Sequence, residues 1–158
     1  MSQKDCGCPI VLNDEWEGRT FNWEGKTFYA EKVNHFFRVP LNVENKMAVA
    51  AEAIEKQGYM LEEPLMVLVQ EGTFSGAVYV AILPTDQPDP NVVTFENTVI
   101  ETSVYDRRDS KVGPGVKAFR KRLEGQGKQV SSIYLWHLGC PRCAALEGYK
   151  TVIFAQTG

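Results

Sequence analysis

Four cysteines stand in two tight pairs, Cys6-Gly7-Cys8 and Cys140-Pro141-Arg142-Cys143. Thiolates two or three residues apart on a turn can reach one tetrahedral ion, and two such pairs complete a four-sulfur zinc site. Gly7, Pro9, Gly139 and Pro141 suit the turns this needs, because glycine tolerates positive φ and proline presets φ. With no coordination position left for water, such a zinc is structural and clamps the N-terminal arm to a C-terminal loop. Two other readings stay open. Cys140 and Cys143 have the spacing of a redox pair, although no thioredoxin-like strand–motif–helix pattern surrounds them, and all four could be free thiols in a reducing compartment.

A second set combines a carboxylate with phenols and rings. Glu101 and Tyr105 lie four residues apart in a β-branched, aromatic run and so share a strand face, as Tyr134 and Trp136 do in another run and Tyr79 does with Ala77 and Ala81. Aromatic walls supply stacking and desolvation for a planar apolar or cationic ligand, and an acid among them fixes its orientation. Desolvation also raises a carboxylate's pKa, which suits Glu101 to act as base with Tyr105 as donor. The plainer alternative is that the rings pack a core and the acid is solvated.

Other chemistries find no support. His35 and His137 are isolated in strand-like segments, and no Gly-x-Ser-x-Gly, Walker-type loop or dinucleotide fingerprint occurs. Lys117, Arg120, Lys121 and Arg122 read as a solvated helix face, because 17 Lys+Arg against 20 Asp+Glu leave the chain at −3. That balance exerts no general pull on nucleic acid or an anionic membrane. No apolar run approaches the roughly 20 residues that span a bilayer, and the first residues lack a secretory signal. The expectation is a cytoplasmic protein whose partner is a hydrophobic or cationic small molecule, with no nucleic-acid or membrane partner and no protein partner specified.

The elements that must position these residues occur twice in one order. Residues 26–39 read as a strand, interrupted by Pro40. From Asn45 to Gln57, Met47, Ala50, Ala51 and Ile54 fall on one helical face, closed by Gly58. Leu65–Gln70 and Ser75–Leu83 follow as a hairpin, and the segment from Pro84 to Pro90 reads as a linker. The order recurs as a strand over Val93–Tyr105, a helix over Pro114–Glu124 stopped by Gly125, and strands at Ser131–Leu138 and Tyr149–Gln156. In the first half Val78, Val80 and Ile82 oppose Tyr79, and in the second Ile133 and Leu135 oppose Tyr134 and Trp136. The fold class is therefore α+β, two tandem β-α-β-β units over residues 26–83 and 93–156. An N-terminal arm, 1–25, precedes a domain over 26–158. Helices are expected on one sheet face, and Tyr79, Tyr134, Trp136, Glu101 and Tyr105 at a ligand cleft on the other.

These elements in this order resemble the GyrI-like small-molecule-binding family, with its SOUL-type fold. Ile133-Tyr134-Leu135, followed after a loop by Ala145-Leu146-Glu147-Gly148-Tyr149-Lys150-Thr151-Val152, is similar to an Ile-Tyr-Leu … Ala-Pro-Glu-x-x-Lys-Thr-Val stretch of one branch. The resemblance implies a cleft for hydrophobic, often cationic, compounds. Relatives act as effector domains of multidrug-responsive regulators or alone, and some stand-alone relatives hydrolyse the cyclopropane of DNA-alkylating natural products. Gyrase-inhibitory relatives instead sequester a protein. Where many members carry a glutamate early in the last strand, this chain has Thr151-Val152, so an acidic role falls to Glu101 or, by the motif match, Glu147. No helix-turn-helix precedes the domain, which predicts a stand-alone binding protein in xenobiotic protection. The alternative is a hydrolase opening strained rings in the same cleft.

Overall fold

The computed structural model describes residues 13–36, 39–40, 43–62, 66–70, 75–107, 113–138 and 149–158. They fall into two compact units. One is Trp23–Asn97; the other joins the described residues through Asn22 to those from Thr98 onward.

In the Trp23–Asn97 unit, strand β2 (Thr27–Phe36) leads to β3 (Val39–Pro40), helix α2 (Val43–Gln57), β4 (Val67–Gln70), β5 (Ser75–Ile82) and β6 (Val92–Thr94). β5 lies between β2 and β4, antiparallel to both, in a register that sets Tyr79 opposite Ala30 and Leu68. β3 and β6 pair with β2, which places His35 opposite Pro40 and Phe28 opposite Val93. Alternation then divides the sheet. Tyr29, Val33, Val78, Val80 and Ile82 pack with Ala50 and Ile54 beneath α2. Met47, expected on that stripe, is exposed, and so is Ala51. Gly58 ends α2 as expected: at φ 75° its N–H reaches Glu55 O at 3.1 Å and Tyr59 N–H reaches Ile54 O at 3.0 Å.

The second unit carries helix α1 (Asn13–Trp16), β1 (Arg19–Trp23, through Asn22), β7 (Thr98–Arg107), α3 (Gly113–Gly125), β8 (Ser132–Leu138) and β9 (Tyr149–Gln156). β9 runs antiparallel between β7 and β8, and β1 lies along the outer edge of β7. Val116, Phe119 and Leu123 of α3 cover Ile133, Leu135, Ile153 and Ala155. Burying side chains of this size contributes roughly 1.5–3 kcal/mol each. α3 ends at Gly125, as expected, and the left-handed cap follows two residues later. Gly127 takes φ 80°, and N–H groups of Gly127 and Lys128 cap the Glu124 and Leu123 carbonyls.

The two units thus repeat β-α-β-β, as β2-α2-β4-β5 and β7-α3-β8-β9, which is the expected α+β organisation. The long strand expected over Val93–Tyr105 is two strands, β6 and β7. Between them Phe95 pairs with Gly25 and Lys26 through backbone hydrogen bonds, and Asn97 adopts φ 48° with its N–H on Glu24 Oε2 at 2.6 Å. No helix among the described residues is long and apolar enough to cross a membrane.

Candidate functional site

Register decides which face each candidate residue occupies. In β7, Glu101 sits opposite Ala155 and Tyr105 opposite Thr151. Ala155 and its neighbour Ile153 belong to the core under α3, so Glu101 and Tyr105 stand on the α3 face. This corrects the expected grouping. Glu101 and Tyr105 do share a face, but it is not the one that carries Tyr134 and Trp136.

On the α3 face both groups are occupied structurally. Glu101 is nearly buried; its Oε1 accepts from Lys128 Nζ at 2.6 Å and its Oε2 from Thr157 Oγ1 at 3.1 Å. The cap at Gly127 delivers Lys128 to this position. The Tyr105 ring lies over Gly115 so closely that a Cβ there would be 2.6 Å from ring carbons.

The opposite face of the same unit is aromatic. Tyr134 and Trp136, each 3% exposed, lie opposite Phe154 and Val152 of β9. α1 brings Trp16 onto them, its ring centroid 5.6 Å from Trp136, 5.7 Å from Phe154 and 5.4 Å from Phe21. Edge and tilted contacts at these distances match the ring quadrupoles. The tyrosine's polar tip is bonded along the face, with Tyr134 OH to Gln156 Oε1 at 3.3 Å.

The chain itself fixes Trp16. Gly18 N–H reaches Thr102 O at 3.1 Å, Thr102 Oγ1 donates to Trp16 O, and the Glu17 carboxylate accepts Val104 N–H at 2.7 Å and the Ser103 hydroxyl at 3.1 Å. Trp16 Nε1 is buried with no hydrogen-bond partner among the described residues. Leaving such a donor unmet costs roughly 1–3 kcal/mol.

The Trp23–Asn97 unit repeats the pattern on the face away from α2. Phe28 is fully buried among Trp23 at 5.4 Å, Phe95 at 5.7 Å and Tyr79 at 5.8 Å. Tyr79 OH donates to Gln70 Oε1 at 3.3 Å, and burial pushes its phenol pKa up. Lys26 Nζ lies 5.7 Å from the centre of the Phe28 ring and 2.7 Å from Glu62 Oε1. The half-buried Glu62 is therefore a carboxylate beside this aromatic cluster.

Sequence reasoning places Tyr79, Tyr134 and Trp136 on the faces opposite the helices, where they are found. It misses Trp16, Trp23, Phe28, Phe95, Phe154 and Glu62. Alternation along Tyr149–Gln156 would have found Phe154, since it shares a face with Val152 and Gln156; Trp16 and Glu62 carry no such periodic signal. Glu147, Cys6, Cys8, Cys140 and Cys143 lie outside the described residues. Among the described residues no three His, Cys, Asp or Glu side chains cluster to hold a metal. Of the four basic residues of α3, Lys117, Lys121 and Arg122 are exposed and Arg120 is half-buried.

A family profile described as Bacterial hydrolase matches residues 1–157. Among solved structures, the chain is similar to the crystal structure of the EcmrR C-terminal domain. The TM-score is 0.70 at 10% sequence identity, over 90% of this chain and 98% of that one. The likeness is one of fold, and the fold is the GyrI-like one that the order of elements implies. No curated protein matches the sequence.

Proposed function

Since the chain belongs to the bacterial hydrolase family, we propose that it binds aromatic or amphipathic small molecules, as a xenobiotic-protection protein does, on its ring-bearing sheet faces. One observation carries this reading. In each unit the face opposite the helix holds clustered rings whose polar tips are bonded within the face, Tyr134 to Gln156 and Tyr79 to Gln70. The buried rings pack these faces, and the half-buried ones, Trp16 and Phe21 in one unit and Tyr79 and Phe95 in the other, are those that offer a planar ligand stacking area at little entropic cost, with amide and phenol dipoles to orient it. Acridine orange, flat and cationic, tests the reading through the fluorescence of the chain's three tryptophans. Saturable quenching supports it; a linear, collisional response overturns it.

The family match supports hydrolysis as a second reading, and we propose that the bond opened is that of a strained ring in a compound bound the same way. Water oxygen bonds to a ring carbon while a ring C–C bond breaks toward the electron-accepting side. A base takes the water proton, and a donor supplies one to the carbon or oxygen that receives the electron pair. Glu62 and Lys26, beside the Phe28 cluster, are the pair we assign to these roles. A cyclopropane-bearing alkylator incubated with the protein then gives a product heavier by one water.

The same proposal keeps zinc as a structural element held by Cys6, Cys8, Cys140 and Cys143, separate from any chemistry on the sheet.

A further inference from the structure

Three of the five large apolar side chains that stand exposed among the described residues gather at one end of the Trp23–Asn97 unit: Met60 at 66%, and Leu61 and Leu83 at 44% each. Leu83 N–H reaches Met60 O at 2.8 Å and Glu62 N–H reaches Ala81 O at 3.1 Å, on either side of the Leu61–Ile82 bridge, so residues 60–62 lie along the end of β5. Opposed residues of paired strands share a face, and alternate residues of one strand return to it. Leu61 therefore lies on the α2 side with Ile82. Met60, Glu62, Ala81 and Leu83 lie on the other side, with Tyr79. Phe28 stands opposite Ala81, and the same register carried one residue further sets Lys26 opposite Leu83.

The ring-bearing face thus has an order along β5. Half-buried Tyr79 comes first, with the half-buried Phe95 ring 6.5 Å from it. The Lys26–Glu62 pair, 2.7 Å apart, comes next, and the exposed Leu83 and Met60 come last. Tyr79 to Leu83 is four residues, about 13 Å of extended chain. Apolar side chains scattered singly over a surface call for no explanation, but neighbours gathered at the rim of a ring-bearing face do. We infer that Met60 and Leu83 form a shelf for the aliphatic arm of the bound compound. The compound class is then a flat ring system that carries an alkyl arm. Its rings lie on Tyr79 and Phe95, its arm crosses Leu83 to Met60, and the junction of the two faces Glu62 and Lys26. Because that acid and that cation neutralise each other, the shelf selects by apolar area rather than by charge. The unbranched, polarizable thioether of Met60 adapts to arms of differing shape. This inference rests on the aromatic binding proposed above.

Acridine orange and its 10-nonyl derivative, both cationic, separate the arm from the rings. Fluorescence titration of the full chain, at dye concentrations below self-association, is expected to give the nonyl dye at least tenfold tighter binding. Met60→Ser combined with Leu83→Ser is expected to bring the two affinities to within about twofold. Met47→Ser, the same change at an exposed position of α2, is expected to keep the preference. Equal affinities for the wild-type chain, a preference that survives the double substitution, or one that Met47→Ser also abolishes, overturn the inference while leaving ring binding intact. Saturable binding of neither dye overturns the binding reading and the inference with it. Should the double variant fail to fold, the wild-type chain with carbon-13 methionine methyls decides the question. A nuclear Overhauser contact between the alkyl protons and the methyl signal that Met60→Leu removes supports the shelf, and no such contact overturns it.

Discussion

Lys128 Nζ meets Glu101 Oε1 at 2.6 Å on the sheet face that α3 covers, so the cap at the end of α3 is tied to the middle of β7. Glu101 is mostly buried and Lys128 is 42% exposed at its side chain. Solvent at the lysine screens the pair, which limits its contribution to about 1 kcal/mol. Glu101→Gln is expected to lower stability by about that amount, read as the urea midpoint, and to leave acridine orange binding unchanged. Lost binding in a folded Glu101→Gln chain would return this residue to the ligand site.

Gly115 has a steric reason to be glycine. A Cβ at this position would come within 2.6 Å of two Tyr105 ring carbons. Gly115→Ala is expected to destabilise the chain by about 1–3 kcal/mol, the usual range for overpacking. The helix propensity gained by alanine offsets less than about 1 kcal/mol of this. In a double-mutant cycle, Tyr105→Ala should remove most of the penalty, and additive effects would contradict the contact.

The repeated β-α-β-β order was legible because its signals are local: Gly58 after an apolar helical stripe, and Val78, Val80 and Ile82 alternating with Tyr79. The side of the sheet taken by Glu101 was not. It depends on the register of β7 against β9, which is set by residues about fifty positions apart and leaves alternation within β7 unchanged. The break between β6 and β7 is likewise non-local, since Glu24 caps the left-handed Asn97 from across the turn. Trp16 sits in a four-residue helix held by β7 rather than by its own periodicity. Gly125 ends α3 while Gly127 supplies the left-handed cap, a division of labour that only the backbone bonds to Glu124 and Leu123 reveal.

Stability at alkaline pH should depend on Tyr29. Burial first, then the negative charges of Asp89 and Glu31, push its pKa from 10.0 to about 12. The folded chain therefore holds a proton that the unfolded chain releases. The resulting stabilisation is complete below the ordinary tyrosine value and lost as pH rises through about 12. Urea midpoints should fall more steeply across this window for the wild-type chain than for Tyr29→Phe. Parallel curves would mean that the phenol titrates normally.

The cysteine proposal predicts one zinc per chain in protein purified without chelators. Removing one thiolate from either pair, as in Cys8→Ser or Cys143→Ser, opens the tetrahedral site and should release the metal. Substoichiometric zinc in the wild-type chain, or full retention in both variants, contradicts a shared four-sulfur site. Because such a site leaves no position for water, chelation should lower the melting temperature without changing ligand affinity measured below it.

Glu62 is the sharpest test of hydrolysis. Its carboxylate accepts from Lys26 at 2.7 Å, and Lys26 Nζ in turn lies 5.7 Å from the centre of the Phe28 ring, so an acid and a cation stand together beside aromatic surface. A base in this position takes the proton of an attacking water, and the ammonium supplies positive charge where negative charge develops. Positioned acid–base groups contribute typically 10²–10⁴-fold to rate. Glu62→Gln keeps the shape and removes the base, and water addition to a cyclopropane-bearing alkylator should fall by about two orders of magnitude or more. Binding of acridine orange should persist, and Glu101→Gln should turn over at the wild-type rate. Full turnover in Glu62→Gln would move the base elsewhere, and the first residue to change next would be Glu147.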